Sequence, residues 1–151
     1  MPKELPRPQP TQVSRAIEND VGKSKTNDYY EIILENAWAS SAPVHLDICN
    51  FSVPSGQKAI LVRFSIRRSS ESQTNEELLR LGYTQTTDFV LVNDQNRRLD
   101  PSCLVNGIVL GGDRPVTRTL AYLVPATSQH LSFRFQKSGG GQPIVADLAG
   151  L

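Results

Sequence analysis

The residues able to do chemistry are few, and their spacing does not gather them. His45 and Asp47 stand two apart, so on a strand they share a face. Two ligands are too few for a metal site, and no third partner follows in the sequence; a polar strand face accounts for them. His130 precedes an apolar-alternating run and could act as a lone base, but no nucleophile or orienting acid accompanies it. A catalytic triad is recognised by geometry and roles, not by possession of Ser, His and Asp. Asp88, Asp94, Asp100 and Asp113 fall where strands should end, which is where calcium loops draw their oxygen ligands. The D-x-D-x-D-G spacing is missing, and turn formation explains these aspartates without an ion. Gly139-Gly140-Gly141 lacks the phosphate-loop frame and is followed by no helix, so it reads as a flexible hairpin. Asn50-Phe51-Ser52 is formally a glycosylation sequon. No catalytic residue, metal or cofactor is therefore expected.

Arg63, Arg67, Arg68, Arg97, Arg98 and Arg134 could cluster on an outer sheet face, and arginine clusters bind phosphates and carboxylates well. Glu71, Glu76, Glu77 and the aspartates balance them, and no exposed aromatic series interleaves for base stacking. With a net charge of +1 across the chain, no global field selects nucleic acid or an anionic membrane. The plainer reading is a solvated face, or charges that keep sheet edges from aggregating.

Cys49 and Cys103 are the two cysteines; lying far apart, they form no zinc or redox motif. They could close one disulfide in an exported protein, or serve as two small buried hydrophobes. No apolar run reaches the length of a transmembrane helix. The opening residues lack the apolar core of a signal peptide. Either the protein is cytoplasmic, or Met1 opens a chain from which an export signal has been removed.

A chain of 151 residues suits one domain plus a tail. Residues 1–27 hold four early prolines and few apolar side chains, too little to offset the entropy of ordering, and are expected to be a disordered Pro-rich tail or linker. A short helix at 13–17 is a weak option. Residues 28–151 carry strand signals. Tyr29-Tyr30-Glu31-Ile32-Ile33-Leu34-Glu35 is aromatic and β-branched and continues toward Trp38. Residues 44–49 form a short strand or an extended connection. In the next run Ile60, Val62, Phe64 and Ile66 share one face while Arg63, Ser65 and Arg67 share the other, the period of a half-buried antiparallel strand.

Thr74-Asn75-Glu76-Glu77 matches a capping box, with Leu78, Leu79 and Leu81 after it and Gly82 to stop it: a short inserted helix. Strands follow at 88–92, 116–124, 129–136 and 144–148, with a tight turn at 93–96. Residues 104–110 are apolar but irregular. About seven short strands with turn signals between them predict an all-β, immunoglobulin-like antiparallel β-sandwich. Trp38 and Tyr122 are expected in the core or at its edge.

The stretch from Tyr29 to Leu148 resembles the immunoglobulin-like domains of unknown function found in exported bacterial proteins and lipoproteins, relatives of the mycobacterial immunoprotective extracellular antigen. The residues that carry the likeness are Gly56-Gln57-Lys58-Ala59-Ile60-Leu61-Val62-Arg63-Phe64-Ser65-Ile66, then Asp88-Phe89-Val90-Leu91-Val92-Asn93-Asp94-Gln95-Asn96. Next come the Gly111-Gly112 turn, Leu120-Ala121-Tyr122-Leu123-Val124-Pro125, and Leu131-Ser132-Phe133-Arg134-Phe135. The insertion at 71–87 is longer than the family loop there, and no lipoprotein cysteine stands at the N-terminus. The resemblance implies an extracellular or cell-envelope location and no catalytic residues.

Together these readings predict a non-catalytic protein-interaction or structural module, with a carbohydrate- or small-molecule-binding module as the alternative. An unknown protein partner is expected, with no nucleic acid. The inserted segment supplies the expected contact residues Leu78, Leu79, Leu81 and Tyr83, with Arg67 and Arg68 beside it; the competing reading has the leucines cap one end of the sandwich. The alternative module would need a pocket lined by Trp38, Tyr83 or Tyr122.

Overall fold

The computed structural model describes residues 19–46, 49–69, 79–81, 88–102, 108–111 and 114–151. The long alternating run found in the sequence is the centre of one sheet. β5 (Gln57–Arg68) pairs antiparallel with β2 (Tyr30–Ser40) on one side and β10 (Val116–Pro125) on the other, and β1 (Ser24–Thr26) extends the sheet beyond β2. A second sheet has the order β12 (Ile144–Asp147), β11 (Ser132–Phe135), β7 (Phe89–Val92), β8 (Arg98–Leu99). Two small ladders flank them: β3 (Val44–Leu46) with β4 (Cys49–Phe51), and β6 (Arg80–Leu81) with β9 (Ile108–Val109). Every pairing is antiparallel, and the whole is a β-sandwich. The order β2-β5-β10 against β12-β11-β7-β8 corresponds to strands A-B-E and G-F-C-C′ of an immunoglobulin-type sandwich.

Alternation fills the space between the sheets. Ile60, Val62, Phe64 and Ile66 of β5 meet Phe89 and Leu91 of β7 and Phe133 and Phe135 of β11 in one core. Five rings bridge the sheets: Phe64 lies 4.8 Å from Phe89 and 5.2 Å from Phe133, and Tyr30 meets Phe135 edge-on at 4.9 Å. Such pairs add about 0.5–1.5 kcal/mol each beyond their buried area. The Tyr122 hydroxyl crosses the core and donates to the Phe89 carbonyl at 3.2 Å. Burial holds that phenol well above its ordinary titration range.

Four expectations are corrected. The ordered fold takes in residues placed in the tail: β1 pairs with β2, Val21 packs on the core, and the Asp20 amide donates to the Asp147 carbonyl at 2.8 Å. A short polar strand gives no periodic signal, and pairing with β2 supplies what composition does not. Residues 44–49 are not one strand but the two arms of a hairpin, β3 and β4. The helical reading of the insertion fails at Leu81, which lies in β6, is buried and belongs to the core; Leu79 packs against the same core. Leu81 therefore offers a partner no surface, while Leu79 is half-buried. Among the described residues there is no α-helix; the capping residues 74–77, Leu78 and Tyr83 lie outside them.

The triple-glycine loop is pinned, not free. Asn27 Nδ2 donates to the carbonyls of Gly140 (2.9 Å) and Gln142 (2.7 Å), while Asn27 Oδ1 accepts from the amides of Tyr29 and Tyr30. One asparagine thus fastens the loop before β12 to the turn before β2.

Candidate functional site

The outer face of the first sheet has two halves. Over one half, the β3–β4 hairpin lays Val44 on Ala59, Leu61 and Ala121, with Leu46, Phe51, Val53 and Leu123 around them. Cys49 on β4 is buried and disulfide-bonded; Cys103 lies outside the described residues. The residue before it runs beside β10, where the Ser102 amide donates to the Ala121 carbonyl at 2.8 Å and Ser102 Oγ accepts from the Leu123 amide at 3.1 Å.

The other half is a polar strip built around a β-bulge. Ile32 and Leu34 point into the core, and strict alternation would send Asn36 and Trp38 after them. The register slips between Leu34 and Asn36, so Glu35 is the extra residue. Ala37 takes the inward position, opposite Val62, and Trp38 faces outward opposite Leu61, 37 % exposed. The sequence led us to expect Trp38 in the core or at its edge; the bulge sets it on the outer face instead. The sequence does hold a signal: Glu35-Asn36 puts two polar residues in succession where the pattern calls for one.

The bulge aims Glu35 at its neighbours. Its carboxylate accepts from Arg63 Nε at 3.1 Å and from the Ser65 hydroxyl, which lies 2.9 Å from Thr117 Oγ1. Ser65 and Thr117 face each other across β5 and β10 in a pair whose backbone groups turn away from one another, the geometry in which side chains come closest. Ser65 is the one buried polar residue among those described, and both its contacts are polar. One step along, Glu31 accepts from Arg67 Nε at 2.5 Å and from Ser24 Oγ at 2.9 Å. The Ser24 hydroxyl first, then Arg67, hold the Glu31 carboxyl below its ordinary range against a smaller opposing effect of burial. Between the two ion pairs stands Ile33, 38 % exposed.

The arrangement can present a charge-balanced, pre-ordered polar surface with two apolar anchors. The hydrogen bonds of Ser65 run to a carboxylate and a hydroxyl, not to an imidazole, and His45 instead bonds Asn50 through Nδ1 at 3.1 Å. His130 sits at φ 57° in the turn before β11. Among the described residues no three or more His, Cys, Asp or Glu side chains gather to hold a metal ion. The six arginines do not form one cluster. Arg63 and Arg67 lie on this face in ion pairs, Arg68 ends β5, Arg98 and Arg134 belong to the second sheet, and Arg97 stands in the turn before β8. Trp38 and Tyr122 do not line one pocket: Tyr122 is on the core side of the sheet whose outer side carries Trp38, and Tyr83 lies outside the described residues. Of the expected contact residues that are described, Arg67 alone is placed on the strip; Glu31, Ile33, Glu35, Ser65 and Thr117 join it.

No helix among the described residues is long and apolar enough to cross a membrane. No protein-family model matches the chain, and no curated relative matches it. Two solved structures share the fold. A putative lipoprotein, ycdA, of Bacillus subtilis superposes with a TM-score of 0.57 at 13% identity over 82% of this chain, which spans 38% of that protein. The yjhA protein of Bacillus subtilis superposes with a TM-score of 0.54 at 11% identity, covering 83% of this chain and 86% of its own. At such identities the likeness is one of fold: a β-sandwich seen in bacterial proteins, one of them a putative lipoprotein.

Proposed function

We propose that this chain is a non-catalytic binding module of an exported or cell-envelope bacterial protein, of the immunoglobulin-like kind, and that it docks another protein on the polar strip of its first sheet. One observation carries the reading: Trp38 and Ile33 stand exposed on a rigid sheet face whose charged side chains are already tied to one another. Protein interfaces are enriched in aromatic and arginine side chains, and a few such anchors carry most of the binding energy. Pre-ordered neighbours lower the entropy lost on docking. The disulfide at Cys49 fits an oxidising compartment, and the likeness to a putative lipoprotein points the same way. A carbohydrate is the second reading, since a sugar ring could stack on Trp38 beside Glu35 and Arg63.

The chain has a single tryptophan, so its intrinsic fluorescence reports on this face alone. A photo-crosslinking amino acid placed at position 33 or 38 in the exporting cell should trap one protein of defined mass, and the same probe at the exposed Val109 should not. Adducts of equal yield at all three positions, or none at 33 and 38, would refute the docking face. Saturable quenching of Trp38 by soluble glycans, without a protein adduct, would move the assignment to the carbohydrate reading.

A further inference from the structure

Among the described residues the first sheet ends at β10, and no strand covers half of that edge. Ala121 and Leu123 turn their backbone groups away from β5, toward Ser102. Backbone direction alternates along a strand, so Thr117 and Thr119, two and four residues earlier, also aim their N–H and C=O groups outward. No strand among the described residues pairs with them there. Among the described residues one of these four groups is engaged: the Thr117 carbonyl accepts from Arg118 Nη1 at 3.0 Å. Arg118 lies opposite Phe64, so its side chain leaves from the core side of the edge and folds back over it.

The charge at this edge is unbalanced. Arg63 and Arg67 pair with glutamates, and Lys23 and Lys25 pair with Asp20. Arg118, by contrast, has its own strand's carbonyl as its hydrogen-bond partner, and the exposed Arg114 shares no ion pair among the described residues. A second copy of the chain, paired antiparallel so as to use both threonines, would set Arg118 against its own twin. Like charges directly opposite one another destabilise a ladder, and charges at an edge are a known guard against self-pairing.

We propose that residues 116–120 form a strand-addition site for an extended protein segment that carries Asp or Glu opposite Arg118. The incoming carboxylate takes the guanidinium, which frees the Thr117 carbonyl for an incoming amide. Main-chain bonds to Thr117 and Thr119 supply the pairing, and the carboxylate supplies the selectivity. This site uses the backbone edge of β10, beside the strip that the Thr117 side chain joins, and not Trp38 or Ile33, so its failure leaves that reading standing.

The test uses the full chain, labelled with 15N, and the capped peptide Thr-Val-Glu-Val-Thr. The expected result is a change in the Thr117 and Thr119 amide signals at a concentration roughly fivefold lower than for the same peptide with Lys in place of Glu, the ratio expected of one half-exposed charge pair. Arg118→Gln should abolish the preference for Glu while leaving the other amide signals in place. Thr119→Pro removes an outward N–H at an edge position that tolerates proline, and should remove the response to both peptides. Equal responses to the Glu and Lys peptides, no response at β10, or a native chain that already self-associates through this edge would each overturn the proposal.

Discussion

Replacing Gly140 with alanine adds one methyl group, and the surroundings show where it goes. A Cβ at Gly140 would lie 2.8 Å from Cε2 of Tyr30 and 3.1 Å from both Cβ and the carbonyl of Lys137. The ring of Tyr30 cannot yield: it is fully buried and rests edge-on against Phe135, 4.9 Å away. Overpacking of this kind costs about 1–3 kcal/mol. At Gly141 two costs combine. Its φ of +90° is one that side chains rarely adopt, and a Cβ would stand 3.0 Å from both Asn27 Nδ2 and Tyr29 Cδ2. Positive φ at a non-glycine residue costs about 1–2 kcal/mol, so with the crowding the Gly141→Ala change should cost about 2–4 kcal/mol. Gly111 is the control, because a Cβ there meets nothing within 4 Å. Urea unfolding followed by circular dichroism should rank the variants Gly111→Ala, Gly140→Ala, Gly141→Ala in order of rising loss, with the slope of the transition unchanged. If Gly140→Ala stays within about 0.5 kcal/mol of the parent, ordinary for a neutral surface change, then the loop is not seated on Tyr30 and the anchoring role given to Asn27 is wrong.

Glu31→Gln should lower stability near neutral pH by about 0.5–1 kcal/mol, the scale of a half-exposed pair. The folded state holds this carboxyl below its ordinary titration near pH 4.5, so its contribution is complete above that pH and is lost as pH falls through the lower folded value. At pH 2 variant and parent should unfold alike, and a difference that persists there would sink the assignment. Tyr122→Phe should cost about 1 kcal/mol for the bond that reaches Phe89 across the core, measured by thermal melting; no change would mean that the hydroxyl is not engaged. Peptide mass mapping without reductant should find Cys49 joined to Cys103. Closing a loop of roughly 55 residues should make the oxidised chain about 4 kcal/mol more stable than the reduced one. Acrylamide should quench the fluorescence of Trp38 in the folded protein, and an emission that resists quenching would return this residue to the core and remove the bulge.

The strands with long, regular alternation were legible without coordinates. In β11, and in β5 from Ile60 to Ile66, one face is apolar, and a one-residue slip would turn every such side chain to water, so pattern and pairing cannot disagree. The turn at 93–96 was equally plain, because an asparagine side chain makes it locally: Asn93 Oδ1 accepts from the amides of Gln95 and Arg97, both at 2.9 Å. The candidate site was legible in part. Arg63, Ser65 and Arg67 were placed on one face by period alone, but their partners on β2 and β10 are distant in the chain.

The sequence by itself determined the class of the fold and the inner and outer faces of its longest strands. Tertiary structure decided the rest. It enrolled Ser24–Thr26 as a strand, folded β3 and β4 into a cover for half of one sheet, drew Leu81 into the core, and turned Trp38 out to solvent. Ser24–Thr26 and the arms of the β3–β4 ladder pair with strands a few residues away, while Leu81 and Trp38 answer to strands remote in sequence; in each case the energy of a neighbouring strand or a buried side chain outweighs a local preference of less than about 1 kcal/mol.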